Sequence, residues 1–132
     1  FYMGEVCTMI PAAKSLILKA QDSLDTAKRH IDNDEEHDIT GYNLAQASEH
    51  LLKALLVVRG LEFPKEDGHD LDTLMTILEE AGFAAVSSHA DVLELNLYNS
   101  PSAHIRKHER VDLREMLVHV EDLKKLVGQH SM

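Results

Sequence analysis

The 132-residue chain carries a formal charge of −10 at pH 7, with 44% hydrophobic residues, 27% charged residues and no Trp. That acidity excludes sequence-blind binding along a nucleic-acid backbone, and a lone cysteine, Cys7, excludes an internal disulfide framework. The length suits one domain spanning 1–132 with an aliphatic core, and no run approaches the roughly twenty apolar residues that cross a bilayer.

The opening FYMGEVCTMI lacks the charged front of a signal peptide, and Cys7 has no neighbouring cation to activate it. The expectation is a reducing, cytoplasmic setting without membrane contact. Pro11 fits the first turn of a helix, where its missing N–H is no loss. From there Ala13, Ile17, Ala20, Leu24, Ala27 and Ile31 recur at helical spacing, so a first helix is expected from Pro11 to about Asp32. Its other face, with Lys14, Lys19, Asp22, Asp25 and Arg29, reads as solvated. The tract DNDEEHD that follows lacks the central Gly of a hard-ion loop and reads as an acidic surface turn.

Gly41 to Gly60, GYNLAQASEHLLKALLVVRG, is apolar on nearly every side and is expected to be the central helix, capped by Thr40 or Asp38 and stopped by Gly60. Its exception is a narrow polar strip formed by Gln46, Glu49, His50 and Lys53. Glu49 stands four residues before Lys53, the order that suits an ion pair. A polar strip on so apolar a helix faces water, a polar cleft or a subunit interface.

Leu61 to Asp70 is a turn-rich connector, and HDLDTLMTILEEAG predicts a third helix with carboxylates in its first turn and Gly82 as its stop. Ser88 to Tyr98 predicts a fourth, with Ser88 as cap and Asp91 three residues on. NSPSAHIRKHERV, residues 99–111, breaks the pattern and concentrates charge. Asp112 and Glu115 form a cap pair for a fifth helix whose apolar stripe runs from Leu113 to Val127 ahead of Gly128. With no alternating strand pattern, the fold class is all-α, an antiparallel bundle of about five helices.

QASEHLLKALLV, Gln46 to Val57, and HDLDTLM, His69 to Met75, are similar to two motifs of the HEPN domain family: a Gln-Ala-x-Glu-x-x-x-Lys-Ala helix and the His-x-Leu opening of the next. The resemblance implies a bundle of antiparallel helices, frequently dimeric, that binds nucleotide or RNA and is often paired with a minimal nucleotidyltransferase. No cofactor is expected. Some branches of the family are toxin-like endoribonucleases that need no metal and carry Arg, four to six residues, then His. Arg114-Glu-Met-Leu-Val-His119 meets that spacing, but Glu115 stands where Asn or Asp is usual, and Glu121 where some members have a Tyr that the partner transferase modifies.

For RNA cleavage His119 would serve as general acid or base and Arg114 would stabilise the charged phosphorane, so both must reach one phosphate. On an unbroken helix they point about 140° apart, and a dimer axis or an uncoiled first turn would be needed to join them. The branch closest in sequence often carries Arg-Tyr near the end of the preceding helix, and Leu97-Tyr98 keeps the Tyr. His104 and His108 have ligand spacing, but Arg106, Lys107 and Arg110 crowd them, so no metal site is expected. The same cations, with Arg114, form an island suited to anions, although Glu109, Asp112 and Glu115 are interleaved.

Candidate ligand contacts are therefore Gln46, Glu49, Lys53, His69, Tyr98, Arg106 and Arg110, and the candidate catalytic pair is Arg114 with His119. The first expectation is a binding bundle without catalysis, dimeric, with nucleotide, RNA or a minimal nucleotidyltransferase as partner. The alternatives are a metal-independent endoribonuclease and a purely dimeric interaction module.

Overall fold

The computed structural model describes residues 11–33, 36–64, 70–99 and 112–130. Five α-helices appear in chain order: α1 (Pro11–His30), α2 (His37–Val58), α3 (Leu71–Glu80), α4 (Asn96–Asn99) and α5 (Leu113–His130). A 3-10 segment, Ala84–Leu95, leads directly into α4. No strand occurs among the described residues, and the fold is the all-α bundle that the periodicity predicts.

Helix α2 is the centre. Leu44, Leu51, Leu52, Leu55 and Leu56 are all fully buried, which requires neighbours on several sides, and α1, α3, α4, α5 and the 3-10 segment all pack on it. Helix α1 lends Ala13, Ala20, Leu24 and Ala27 to the core, and α5 lends Met116, Val120, Leu123 and Val127. Small residues on α1 allow its long antiparallel contact with α2.

Both predicted glycine stops hold. Gly60 (φ 70°) and Gly82 (φ 92°) adopt the left-handed conformation. At α2 the Leu61 amide donates to Leu56 and the Gly60 amide to Val57; at α3 Phe83 donates to Leu78 and Gly82 to Glu79. These paired bonds satisfy the last carbonyls of each helix. Asp70 caps α3 by accepting from the Asp72 amide, and Asp112 accepts from the amides of Arg114 and Glu115. Asn96 reinforces the α3 end, donating to Asp70 at 2.6 Å while its carbonyl accepts from the Leu71 amide at 2.8 Å.

Four boundaries differ from expectation. Helix α1 ends at His30, where the carbonyl accepts from the Asn33 amide in a turn. Helix α2 starts at His37, so neither Thr40 nor Asp38 is its cap; Thr40 is buried in the second turn. The earlier start has a tertiary cause: the Tyr98 hydroxyl bonds His37 Nε2 at 2.6 Å, and Glu36 pairs with His30 Nδ1 at 2.9 Å. The segment expected to be a fourth helix from Ser88 is a 3-10 helix from Ala84, kinked at His89 (φ −108°, ψ 19°), and the Ser88 hydroxyl donates back to Ala85 rather than capping. Its buried residues Val86, Val92 and Leu95 fall at multiples of three, the period of a 3-10 helix. Helix α5 runs through Gly128 to His130, whose ring meets the edge of Phe83 with 4.8 Å between centroids.

Candidate functional site

The polar strip of α2 is drawn inward. Glu49 is 2% exposed, the one ionisable side chain among the buried positions of α2. Its carboxylate accepts from Lys53 Nζ at 2.9 Å, and the Lys53 side chain keeps 16% exposure. Gln46 makes a long 3.5 Å contact to the other carboxylate oxygen. The periodicity places these groups on neighbouring turns, and the low dielectric of the site strengthens their pairing while making it costly to break. Over Lys53 lies Phe63, from the turn after α2, with its ring centroid 5.5 Å from Nζ, within cation–π range. Phe63 itself is exposed. The arrangement is a nearly inaccessible carboxylate paired with a partly exposed ammonium beneath an exposed aromatic ring, so that a cation, an amide and a stacking surface lie together.

His50 sits beside this pair. Burial pushes its pKa below the ordinary 6.5; the Glu49 carboxylate opposes that shift, while Lys53 and Lys19 of α1 add to it. The ring is therefore neutral at pH 7, and its buried Nδ1 has no hydrogen-bond partner of good geometry, although the Gln46 carbonyl lies close.

Tyr98 is buried, and its ring lies against Gly41 of α2, where a Cβ would come within 2.5 Å of two ring carbons. With its hydroxyl held by His37, it faces the helix rather than a cleft, and it joins neither Lys53 nor Arg114 among its described contacts. His69, Arg106 and Arg110 lie outside the described residues, as do His104 and His108.

Arg114 and His119 share one regular helix, and the structure sends them to opposite sides of it. The Arg114 side chain is 67% exposed and its guanidinium donates to Asp32 near the end of α1. His119 turns to the 3-10 segment, with Nδ1 3.6 Å from Asp91 and Nε2 3.6 Å from Glu115. The first turn of α5 is not uncoiled, so within one chain the two side chains diverge. Among the described residues no group of three or more His, Cys, Asp and Glu is arranged to hold a metal ion.

One feature was not legible in sequence. Between α1 and α5 lies a recess of about 170 Å³ with Leu24 in its lining, bordered by Gln21, Lys28, Glu121, Lys124 and Lys125. Lys28 pairs with Glu121 at 3.3 Å and Lys124 donates to Gln21, so long side chains bridge the two helices there. The contributing positions are about a hundred residues apart, and no local pattern joins them.

A family model described as the HEPN domain matches residues 13–130, most of the chain. The chain belongs to the HEPN family. Searches of curated proteins and of solved structures gave no significant match. Membership accords with a nucleotide- or RNA-related role for the HEPN bundle, and no helix among its described residues is long and apolar enough to cross a membrane.

Proposed function

We propose that this HEPN bundle is a binding module for a nucleotide, an RNA or a partner minimal nucleotidyltransferase, that it acts as a homodimer, and that it has no catalysis of its own. The observation that carries this reading is the buried Glu49–Lys53 pair beneath the exposed Phe63 ring. An ion pair drawn into an aliphatic helix adds little net stability over apolar residues of similar size, which favours a role in recognition. Lys53 supplies a cation for a phosphate, Gln46 an amide for a base edge and Phe63 a stacking surface, a set of groups that suits a small anionic aromatic ligand. The island of Arg106, Arg110 and Arg114 is the candidate second contact for an anion, and His69 is retained as a candidate at the entry to α3.

A thermal-shift series with mononucleotides and short oligoribonucleotides tests this reading. Binding raises the melting temperature, with about 2.7 kcal/mol of stabilisation at a ligand concentration a hundred times Kd. Phe63→Ala, which removes an exposed ring without opening the core, should diminish the shift. Melting curves unmoved by all these ligands would discard the ligand reading and leave a purely dimeric interaction module. Sedimentation of the bundle with a minimal nucleotidyltransferase tests the protein partner.

A second reading has one observation in its favour: Asp91 lies 3.6 Å from His119 Nδ1, just beyond hydrogen-bond reach, on the side of the ring from which a carboxylate positions a general base. It makes the protein a metal-independent endoribonuclease using His119 and Arg114. Cleavage of single-stranded RNA in EDTA, lost in His119→Ala, would establish it; RNA intact after long incubation would remove it.

A further inference from the structure

Three side-chain bridges span the seam between α1 and α5. Arg114 donates to Asp32 just beyond α1, Lys28 pairs with Glu121 at 3.3 Å, and Lys124 donates to Gln21. The partner on α5 moves up the chain as the partner on α1 moves down it, so the two helices run antiparallel and the bridges form rungs. The first two rungs join a cation to a carboxylate. The third joins an ammonium to a neutral amide, which accepts one of its three N–H groups and leaves its charge uncompensated.

The recess between the helices is lined by both residues of the second and third rungs, together with Leu24 and Lys125. Leu24 is 1% exposed and forms an apolar floor, along which the stems of the surrounding lysines can lie. Lys125 is exposed and has no hydrogen bond or ion pair among the described residues. The lining therefore sets Lys28, Lys124 and Lys125 against Glu121 alone, an excess of positive charge on a chain of −10. The other carboxylates nearby do not cancel it. Asp25 is engaged by Gln21 Nε2 at 2.9 Å, and Asp22 and Asp122, exposed on the same two helices, are outside the lining. A seam that merely paired with itself would give Lys124 a carboxylate, as it gives Arg114 and Lys28.

Size narrows what can complete the third rung. A volume of 170 Å³ is that of about five or six liquid waters, below the roughly 300 Å³ at which pockets begin to take drug-sized ligands. It admits one oxyanion with a short carbon tail and is too small for a whole nucleoside. We infer that the α1–α5 recess binds a phosphate dianion, free or as the head of a small phosphomonoester. Lys124 and Lys125 are its charge partners, acting as flexible point charges, and Leu24 lies beneath any carbon tail. A phosphomonoester carries a charge of about −1.5 to −2 at pH 7, which two uncompensated ammonium groups match. No lining residue belongs to the Glu49, Lys53 and Phe63 group, so this site stands apart from the function proposed above.

Titration of the full chain with inorganic phosphate, at an ionic strength held constant with chloride, tests the inference. In ¹H–¹⁵N correlation spectra the expected result is a saturable shift of amides around Gln21–Lys28 and Glu121–Lys125. Lys124→Gln and Lys125→Gln should each raise the dissociation constant about tenfold, as loss of a charge-assisted hydrogen bond does. Gln21→Glu, which supplies the missing carboxylate from within the chain, should abolish binding. Lys14→Gln, an exposed lysine of α1 outside the lining, should leave it unchanged. Propyl phosphate separates the two sources: tighter binding than phosphate assigns a phosphomonoester, weaker binding assigns the free ion, and either upholds the site. Should circular dichroism find Lys124→Gln unfolded, Lys125→Gln at its exposed position carries the test. Spectra that phosphate moves no more than chloride does overturn the inference. So do shifts confined to other parts of the chain, and so does a dissociation constant that Lys125→Gln and Gln21→Glu both leave unchanged.

Discussion

Gly41 is where the sequence of α2 yields to a partner from elsewhere in the chain, and Gly41→Ala is the sharpest probe of that contact. The new methyl would lie 2.5 Å from Cδ1 and Cε1 of Tyr98 and 2.7 Å from its Cγ. Cγ is next to the Tyr98 backbone, so a small rotation of the ring does not clear the clash. Either the helices part, at the cost of about 1–3 kcal/mol typical of an overpacked core, or Tyr98 swings out and gives up its buried ring and its bond to His37, the bond alone being about 1 kcal/mol. Against this, Ala improves the helix by about 1 kcal/mol over Gly. The net expectation is a loss of about 0–2 kcal/mol, up to about 7 °C in Tm for a chain of this size. Urea unfolding followed by far-UV circular dichroism measures it. In a Tyr98→Ala background the clash disappears, so Gly41→Ala should there be neutral or stabilising, a coupling that a double-mutant cycle isolates. A Gly41→Ala protein more stable than the parent by the full helix gain of about 1 kcal/mol would refute the packing described for this end of the bundle.

Lys53→Met should cost about 2–4 kcal/mol, because it leaves the nearly inaccessible Glu49 carboxylate without its closest cation; adding Glu49→Gln should recover part of the loss, and a calorimetric change below about 0.5 kcal/mol for Lys53→Met would contradict the pairing. His50 predicts a pH effect of definite sign. Because burial lowers its folded-state pKa below 6.5, the unfolded chain takes up a proton first, so this residue costs stability as pH falls below 6.5 until the folded ring also protonates, and above that window it has no effect. Urea midpoints for parent and His50→Asn should converge at neutral pH and separate toward acid, with the parent losing more; parallel curves would show that His50 does not titrate differently on folding.

The parts of the fold legible in sequence are those fixed by neighbours along the chain. The all-round apolarity of α2, the left-handed glycine Gly60, the Gly82 stop and the Asp112 cap all act over one or two turns, and the structure bears them out. The same holds for the pairing of Glu49 with Lys53, which a four-residue spacing announces. The depth of that pair is another matter, since burial depends on what packs alongside. The start of α2 is not legible locally, because its first turn is held by Tyr98, 61 residues away, while Thr40 imitates a cap. The segment from Ala84 imitates an α-helix, because its leucines and valines satisfy a helical count although the buried ones step by threes. The α1–α5 recess joins Gln21 to Lys124 across 103 positions and left no trace in either neighbourhood.

The twelve-residue 3-10 segment has a further consequence for how the molecule breathes. Its hydrogen bonds are bent compared with those of α2, and it is interrupted at His89, so its amides should exchange with deuterium well before those of the central rod. Each such opening would withdraw Asp91 from His119 and expose further an imidazole whose side chain is already 28% exposed. The carboxylate company of that histidine then depends on how often one short stretch of backbone lets go, and not on the stability of the bundle as a whole.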